Sequence, residues 1–304
     1  MTKSYNGIWP VAPTPFFEDG TLDLDGMKRV LDFLIDAKVD GICILANFSE
    51  QFLISDEERE TLTRLCLEHV AGRVPTIVTI SHYATKIVVE RAKLAKGLGA
   101  EIVMMMPPYH GALLKGSAQD TFEQFAAVGE VGIPIMVQDA PLSGVELPVP
   151  LLVKMAQEIE MLKLFKIETP RAADKLRALI SNGGAAIEAP FDGEEAITLL
   201  ADLDAGATGA MTSAMIPDQI KPVIEKFHTG DRKGAFEAYA RILPAVNHEN
   251  RQCGWRSAKT AMAAGGIIES AFCRHPIAPL PAPSERILIE LIEPLDPLVL
   301  NWGK

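Results

Sequence analysis

The residue best placed to do covalent chemistry is Lys166, inside the run Leu162-Lys163-Leu164-Phe165-Lys166-Ile167-Glu168. Side chains alternate between the two faces of a strand, so Leu164, Lys166 and Glu168 share one face and Phe165 and Ile167 the other. If the Phe165 face packs under helices, Lys166 points inward, where desolvation penalises its charged form. A neutral amine there can attack a carbonyl and form a Schiff base. The strand alone supports equally a lysine that lines the interior and pairs with Glu168 or Glu188. Other polar residues also close short apolar runs: Thr14, Asn47 to Glu50, His82, Tyr109 with His110, Gln138 with Asp139, Glu188, and Thr212 with Ser213.

The runs that would carry these residues span 7–14, 41–47, 75–81, 101–108, 134–141, 162–169, 185–192 and 206–213. Helical spacing lies between them, as in Met27, Val30, Leu31 and Leu34, with Lys28, Arg29, Asp32 and Asp36 off that stripe. Strands that are nearly all apolar are expected where helices cover both faces of a parallel sheet, and the alternation points to βαβ units. Eight units in about 215 residues predict an α/β fold, the closed (β/α)8 TIM barrel, in which closure removes the exposed sheet edges. A doubly wound open sheet is the competing arrangement. Beyond Ser213 the pattern turns helical at 218–227, 232–243, 247–265 and 284–295, interrupted by the Pro-rich segment 275–283. The expected organisation is a barrel domain over residues 1–228 and a C-terminal helical extension over 229–304. Active sites of such barrels gather at the C-terminal strand ends, where the polar residues named above fall.

The 304 residues carry 40 acidic against 29 basic side chains, a net charge of -11, which argues against nucleic acid and anionic membranes as partners. No apolar stretch approaches the roughly 18 residues of a membrane-spanning helix, residues 1–9 are too polar for a secretory signal, and a cytoplasmic location is expected. The four cysteines are far apart, the six histidines form no His-x-x-x-His pattern, and no Gly-rich phosphate or dinucleotide loop is present. The expectation is therefore chemistry without a metal, nucleotide or flavin.

Several motifs in order resemble, over essentially the whole chain, the dihydrodipicolinate synthase and N-acetylneuraminate lyase superfamily of Schiff-base aldolases and dehydratases. They are Gly7-Ile8-Trp9-Pro10-Val11-Ala12-Pro13-Thr14-Pro15-Phe16 with Asp19-Gly20, Ser49-Glu50, Ser55-Asp56-Glu57-Glu58-Arg59, Pro107-Pro108-Tyr109, Gly193-Glu194-Glu195 and Ala205-Gly206-Ala207-Thr208-Gly209. The resemblance implies a TIM barrel, Lys166 as the imine-forming lysine, a small 2-keto acid as substrate, no cofactor beyond the covalent imine, and a homotetramer.

In that family the loop after the second strand binds the substrate carboxylate, usually through Gly-Thr-Thr-Gly-Glu. Here it reads Ala46-Asn47-Phe48-Ser49-Glu50, which keeps the backbone donors, offers Asn47 or Ser49 as side-chain donors, and narrows the pocket with Phe48. The family's proton-relaying tyrosine, in Tyr-Asn-x-Pro, is replaced by Gln138 in Gln138-Asp139-Ala140-Pro141; glutamine hydrogen-bonds but exchanges no proton, which disfavours aldol cleavage. The arginine that synthases place beyond this proline is replaced by Leu142-Ser143-Gly144, which disfavours dihydrodipicolinate synthesis. Ser81-His82-Tyr83 stands for a small Gly-rich stretch, and His110 keeps an acid/base group in place of a second tyrosine. Together, residues 46–52, 106–111, 137–141 and 165–170 are most similar to the branch that dehydrates 2-keto-3-deoxy-L-arabonate.

The resemblance thus implies a lyase that turns this acid into 2-oxoglutarate semialdehyde and water. Lys166 is its nucleophile, Tyr109 and His110 are candidate acids for the leaving hydroxyl, and Asn47, Phe48, Ser49, His82, Gln138, Gly193, Glu194 and Thr212 are candidate substrate contacts. A retro-aldolase releasing pyruvate and an aldehyde, and a non-catalytic barrel that binds keto acids, are the alternatives.

Overall fold

The computed structural model describes residues 5–304, and the chain divides into two compact units. One comprises Gly7–Thr76, Glu195–Ile197 and Thr212–Lys304. Its strands β1 (Gly7–Ile8) and β2 (Ile42–Ile44) are short. Just beyond β1, Val11 forms parallel bridges to Cys43 and to Ser213; its N–H donates to the Thr212 carbonyl at 2.8 Å, and the Ala12 N–H donates to that of Cys43 at 2.8 Å. Ile8, Val11, Ile42, Cys43 and Ile44 are all buried, as a sheet covered on both faces requires.

Helix Leu24–Asp36 starts where the Asp23 carboxylate accepts the Gly26 N–H at 2.7 Å, and its stripe Met27, Val30, Leu31 and Leu34 is buried as its spacing predicts. Helix Asp56–Val70 starts in a capping box, in which Ser55 and Glu58 each accept the other's backbone N–H. The C-terminal helices are Pro217–His228, Arg232–His248, Ser257–Gly265 and Ala282–Ile292. The helix expected over 232–243 continues through Pro244 to His248. The one expected over 247–265 is broken into a π-helical turn, Glu249–Cys253, and a 3-10 turn, Gly254–Arg256, ahead of Ser257. Gly254, at φ 58° and ψ -138°, adopts a backbone conformation that ends a helix and suits only glycine.

The other unit comprises Tyr5, Asn6, Ile77–Glu194 and Thr198–Met211. Its strands are β3 (Thr76–Thr79), β4 (Ile102–Met105), β5 (Tyr109–His110), β6 (Leu114–Lys115), β7 (Ile135–Asp139), β8 (Leu162–Ile167), β9 (Ala189–Asp192) and β10 (Gly209–Ala210). Six of them form a parallel sheet in the order β3, β4, β7, β8, β9, β10, while β5 and β6 make a separate hairpin that the apolar pattern does not signal. Helices Thr85–Gly97, Ala118–Gly129, Val149–Glu158, Ala172–Gly183 and Leu199–Asp204 alternate with the sheet strands. Each of the eight runs read as strands contains one; Thr14, Asn47, His82 and Thr212 lie in the loops and turns beyond their strands, Gln138 and Asp139 are the last residues of β7 itself, and Glu188, expected at a strand end, instead precedes β9.

One irregularity in this sheet sets the site. Ile135 of β7 pairs with Leu162 of β8, but Met136 pairs with Leu164, so β8 carries one extra residue, Lys163. Beyond this bulge Gln138 is the partner of Lys166 and Asp139 that of Ile167. Without it Asp139 would stand beside Lys166, because a slip of one residue exchanges the two faces of a strand.

Candidate active site

Lys166 is 3% exposed, near the end of a strand whose residues Leu164, Phe165 and Ile167 are all buried. An ammonium there needs a counter-charge, and the Glu168 carboxylate supplies it, with Oε1 2.6 Å from Nζ. The Gln138 amide donates to that same oxygen at 2.7 Å. Of the two carboxylates that the strand pattern leaves open, Glu168 therefore faces the lysine, and Glu188 is engaged by Lys163 at 2.6 Å. Gln138 is fully buried, and its Oε1 is a buried acceptor with no hydrogen-bond partner in the protein. Asp139 pairs with Lys175 at 2.5 Å; burial raises its pKa, and that lysine opposes the rise.

Gly193 closes the far side of this cluster. A Cβ on it would lie 2.6 Å from the Glu168 Cγ and 2.8 Å from the Lys166 Cγ, so only glycine lets the end of β9 approach both side chains. Its N–H donates to the Ile167 carbonyl at 3.0 Å. The next residue, Glu194, donates its N–H to Asp192 at 3.1 Å. Tyr109 is half-buried, its hydroxyl has no partner, and burial pushes its pKa up to about 12, so it stays a proton donor at neutral pH. His110 is exposed on the hairpin. His82 is also exposed, and its Nδ1 accepts the Ala84 N–H at 2.9 Å, the loop-capping role of a histidine.

In the unit that contains β1 and β2, Asn47, Phe48 and Ser49 form a 3-10 turn closed by Glu50 in the left-handed conformation, φ 58°. The Ser49 hydroxyl donates its single proton to the Ala12 carbonyl at 2.6 Å and accepts the Ala46 N–H, while Thr14 donates to the Ser49 carbonyl at 2.8 Å. Ser49 is therefore spent as a staple of the loop; its own N–H donates to the Ala46 carbonyl at 2.9 Å and that of Glu50 to the Asn47 carbonyl at 3.0 Å, which leaves the Asn47 and Phe48 N–H groups and the Asn47 amide as the loop's candidate donors. Asn47 Oδ1 accepts from Gln51 at 2.6 Å, and Phe48 is partly exposed. Thr212 is buried, its hydroxyl donating to the Ser213 carbonyl at 2.8 Å.

Sequence reasoning singled out Lys166, Gln138 and Gly193, which the structure brings together; it left Glu168 open and did not anticipate the pairing of Asp139 with Lys175. The signal for Glu168 was its place two residues after Lys166, on the same strand face. Among the described residues no group of three or more His, Cys, Asp or Glu side chains is arranged to hold a metal ion, and no helix is long and apolar enough to cross a membrane.

A parallel sheet with a buried lysine clamped by a carboxylate at a strand end defines a class of α/β protein suited to carbonyl chemistry. The crystal structure of dihydrodipicolinate synthase from Aquifex aeolicus superposes with a TM-score of 0.89, at 24% identity, over 96% of this chain and 98% of that one, which fixes the fold. The Dihydrodipicolinate synthetase family model matches residues 4–293, and the chain belongs to that family. It is 55% identical over 303 residues to the L-2-keto-3-deoxyarabonate dehydratase of Azospirillum brasilense, covering 99% of this chain and 98% of that protein. It is 28% identical over 284 residues to 4-hydroxy-tetrahydrodipicolinate synthase 2 of Streptomyces coelicolor, covering 91% of each.

Proposed function

We propose that this chain is a Schiff-base dehydratase that converts 2-keto-3-deoxy-L-arabonate to 2-oxoglutarate semialdehyde and water. The observation that carries the reading is the 55% identity, along essentially the whole length of both chains, to a dehydratase of that acid. The contact of Lys166 with Glu168 supports it.

In this reading the Lys166 amine adds to the C2 carbonyl and expels water to give an imine. The imine is the electron sink that acidifies C3, so the chemistry calls for no metal or organic cofactor. Loss of a C3 proton and departure of the C4 hydroxyl, taken up as water, give a conjugated imine. Loss of a C5 proton then gives a dienamine with an enol; reprotonation at carbon and hydrolysis return the amine and release the semialdehyde. One molecule of water is lost overall, because the water expelled on forming the imine is restored on its hydrolysis.

Glu168, 2.6 Å from Nζ, carries protons between carbon and nitrogen. Tyr109, with His110 beside it, supplies the proton for the leaving hydroxyl, and Gln138 orients substrate or water through its unpartnered oxygen. The Asn47 and Phe48 N–H groups and the Asn47 amide serve the carboxylate on a loop that Ser49 staples, with the Phe48 ring, His82, Gly193, Glu194 and Thr212 as further substrate contacts. A closed (β/α)8 barrel over residues 1–228 with a helical extension over 229–304, assembly as a homotetramer and a cytoplasmic location complete the proposal.

The test is mass spectrometry of the products from 2-keto-3-deoxy-L-arabonate without added metal. The expected product is lighter by one water, with borohydride trapping the substrate on Lys166. Pyruvate with glycolaldehyde would mean an aldolase, and no turnover with no adduct would mean a binding protein.

A further inference from the structure

We infer that Lys259 is a positioning residue that sets the carboxylate-binding loop Asn47–Glu50 through its buried ion pair with Glu50. The inference rests on the reading above that this loop receives the substrate carboxylate.

Glu50 closes the 3-10 turn Asn47–Ser49 and opens a second, Gln51–Leu53, and it does so at φ 58° and ψ 37°, where a side chain is normally strained. Such a conformation persists only where its surroundings over-determine it. Here they do. The Glu50 and Lys259 side chains are both 0% exposed and ion-paired, and Glu50 also accepts the Arg274 backbone N–H at 3.2 Å. Lys259 in turn donates to the Phe272 carbonyl at 2.9 Å and lies 4.4 Å from the centroid of the Phe16 ring, with the Arg274 guanidinium 4.3 Å from the same centroid. Arg274 donates to the carbonyls of Gly20 at 2.8 Å and Leu53 at 2.7 Å, and to both oxygens of Glu58.

Two cations thus lie against one aromatic ring, each paired with a carboxylate, and the cluster holds both turns that flank Glu50. A buried ion pair is in general weak evidence for stability, so the role we assign to these charges is to fix geometry. The functional side of that geometry is the pair of backbone N–H groups of Asn47 and Phe48, since those of Ala46, Ser49 and Glu50 are bonded within the loop. Because the Ser49 hydroxyl is spent within the loop, their direction decides how well a carboxylate is held. Loss of the ion pair should therefore weaken substrate binding and spare the chemistry at Lys166.

The variant Lys259→Met strands the Glu50 carboxylate, so the decisive protein is the double variant Glu50→Gln/Lys259→Met, which removes both charges. Glu50→Gln alone is the second variant: it removes the carboxylate that opposes the lowering of the Lys259 pKa by burial and keeps an amide that can hydrogen-bond Nζ. In either, KM for 2-keto-3-deoxy-L-arabonate should rise about tenfold or more while kcat stays within about threefold, and borohydride should still trap saturating substrate on Lys166. A folded variant with unchanged KM, or one that loses kcat at unchanged KM, overturns the inference and leaves the proposed function standing. Wild-type protein that neither dehydrates nor traps the substrate overturns both.

Discussion

Replacing Glu249 with glutamine should make the protein more stable at pH 8 and leave its stability near pH 4 unchanged. Glu249 is buried in the π-helical turn, and the hydroxyls of Ser213 and Ser257 both donate to its Oε1 at 2.5 Å. Burial pushes its pKa from 4.5 up to about 7, against the lowering effect of those two hydrogen bonds. Between those values the folded protein keeps a proton that the unfolded chain has released, so the group's contribution to stability falls as pH rises from about 4.5 and is fully lost above about 7. At about 1.4 kcal/mol per pH unit, the charged carboxylate costs about 3 kcal/mol at pH 8. Glutamine keeps an oxygen that accepts both hydroxyls and carries no charge, so Glu249→Gln recovers most of that. Urea midpoints of wild type and variant, measured from pH 4 to pH 8, would show the difference opening over this window, while other titrating groups cancel. Parallel pH profiles for the two proteins, or a variant that is less stable at pH 8, would refute the reasoning.

Glu168→Gln should lower kcat by about 10²- to 10⁴-fold while borohydride still finds the imine on Lys166, because a proton carrier is lost and the nucleophile is kept. Gly193→Ala places a methyl 2.6 Å from the Cγ of Glu168 and 2.8 Å from that of Lys166; kcat should fall at least about tenfold with an unchanged circular dichroism spectrum, and unaltered kcat would show that the pair needs no such approach. Tyr109→Phe removes a buried hydroxyl that has no partner, so thermal stability should hold or rise, while kcat/KM should fall by about 10²-fold; full activity would assign the acid role to another group.

Much of the fold is legible in the sequence because local rules decide it. Apolar runs that alternate with a 3.6-residue stripe can satisfy their backbone only as strands and helices, and each of the eight runs contains a strand. The Asp23 and Ser55 caps lie next to the helices they start. The helix expected over 247–265 gives way to a π-helical turn at Glu249–Cys253 and to Gly254 at φ 58°, a departure that apolar spacing does not reveal.

The site divides along the same line. That Lys166 and Glu168 share a face follows from a two-residue period and is written in the sequence. That Gln138, and not Asp139, stands beside them is decided by the bulge at Lys163, because register belongs to the hydrogen-bonded pair of strands and to neither strand alone. In the same way, Glu50 and Lys259 lie near opposite ends of the sequence, and only tertiary packing makes the loop residue depend on the helix residue. The sequence by itself determined the elements and the chemistry available, since both reside in covalently near neighbours. The tertiary structure decided which groups meet, since partners distant along the chain are chosen by packing and by the need to neutralise every buried charge.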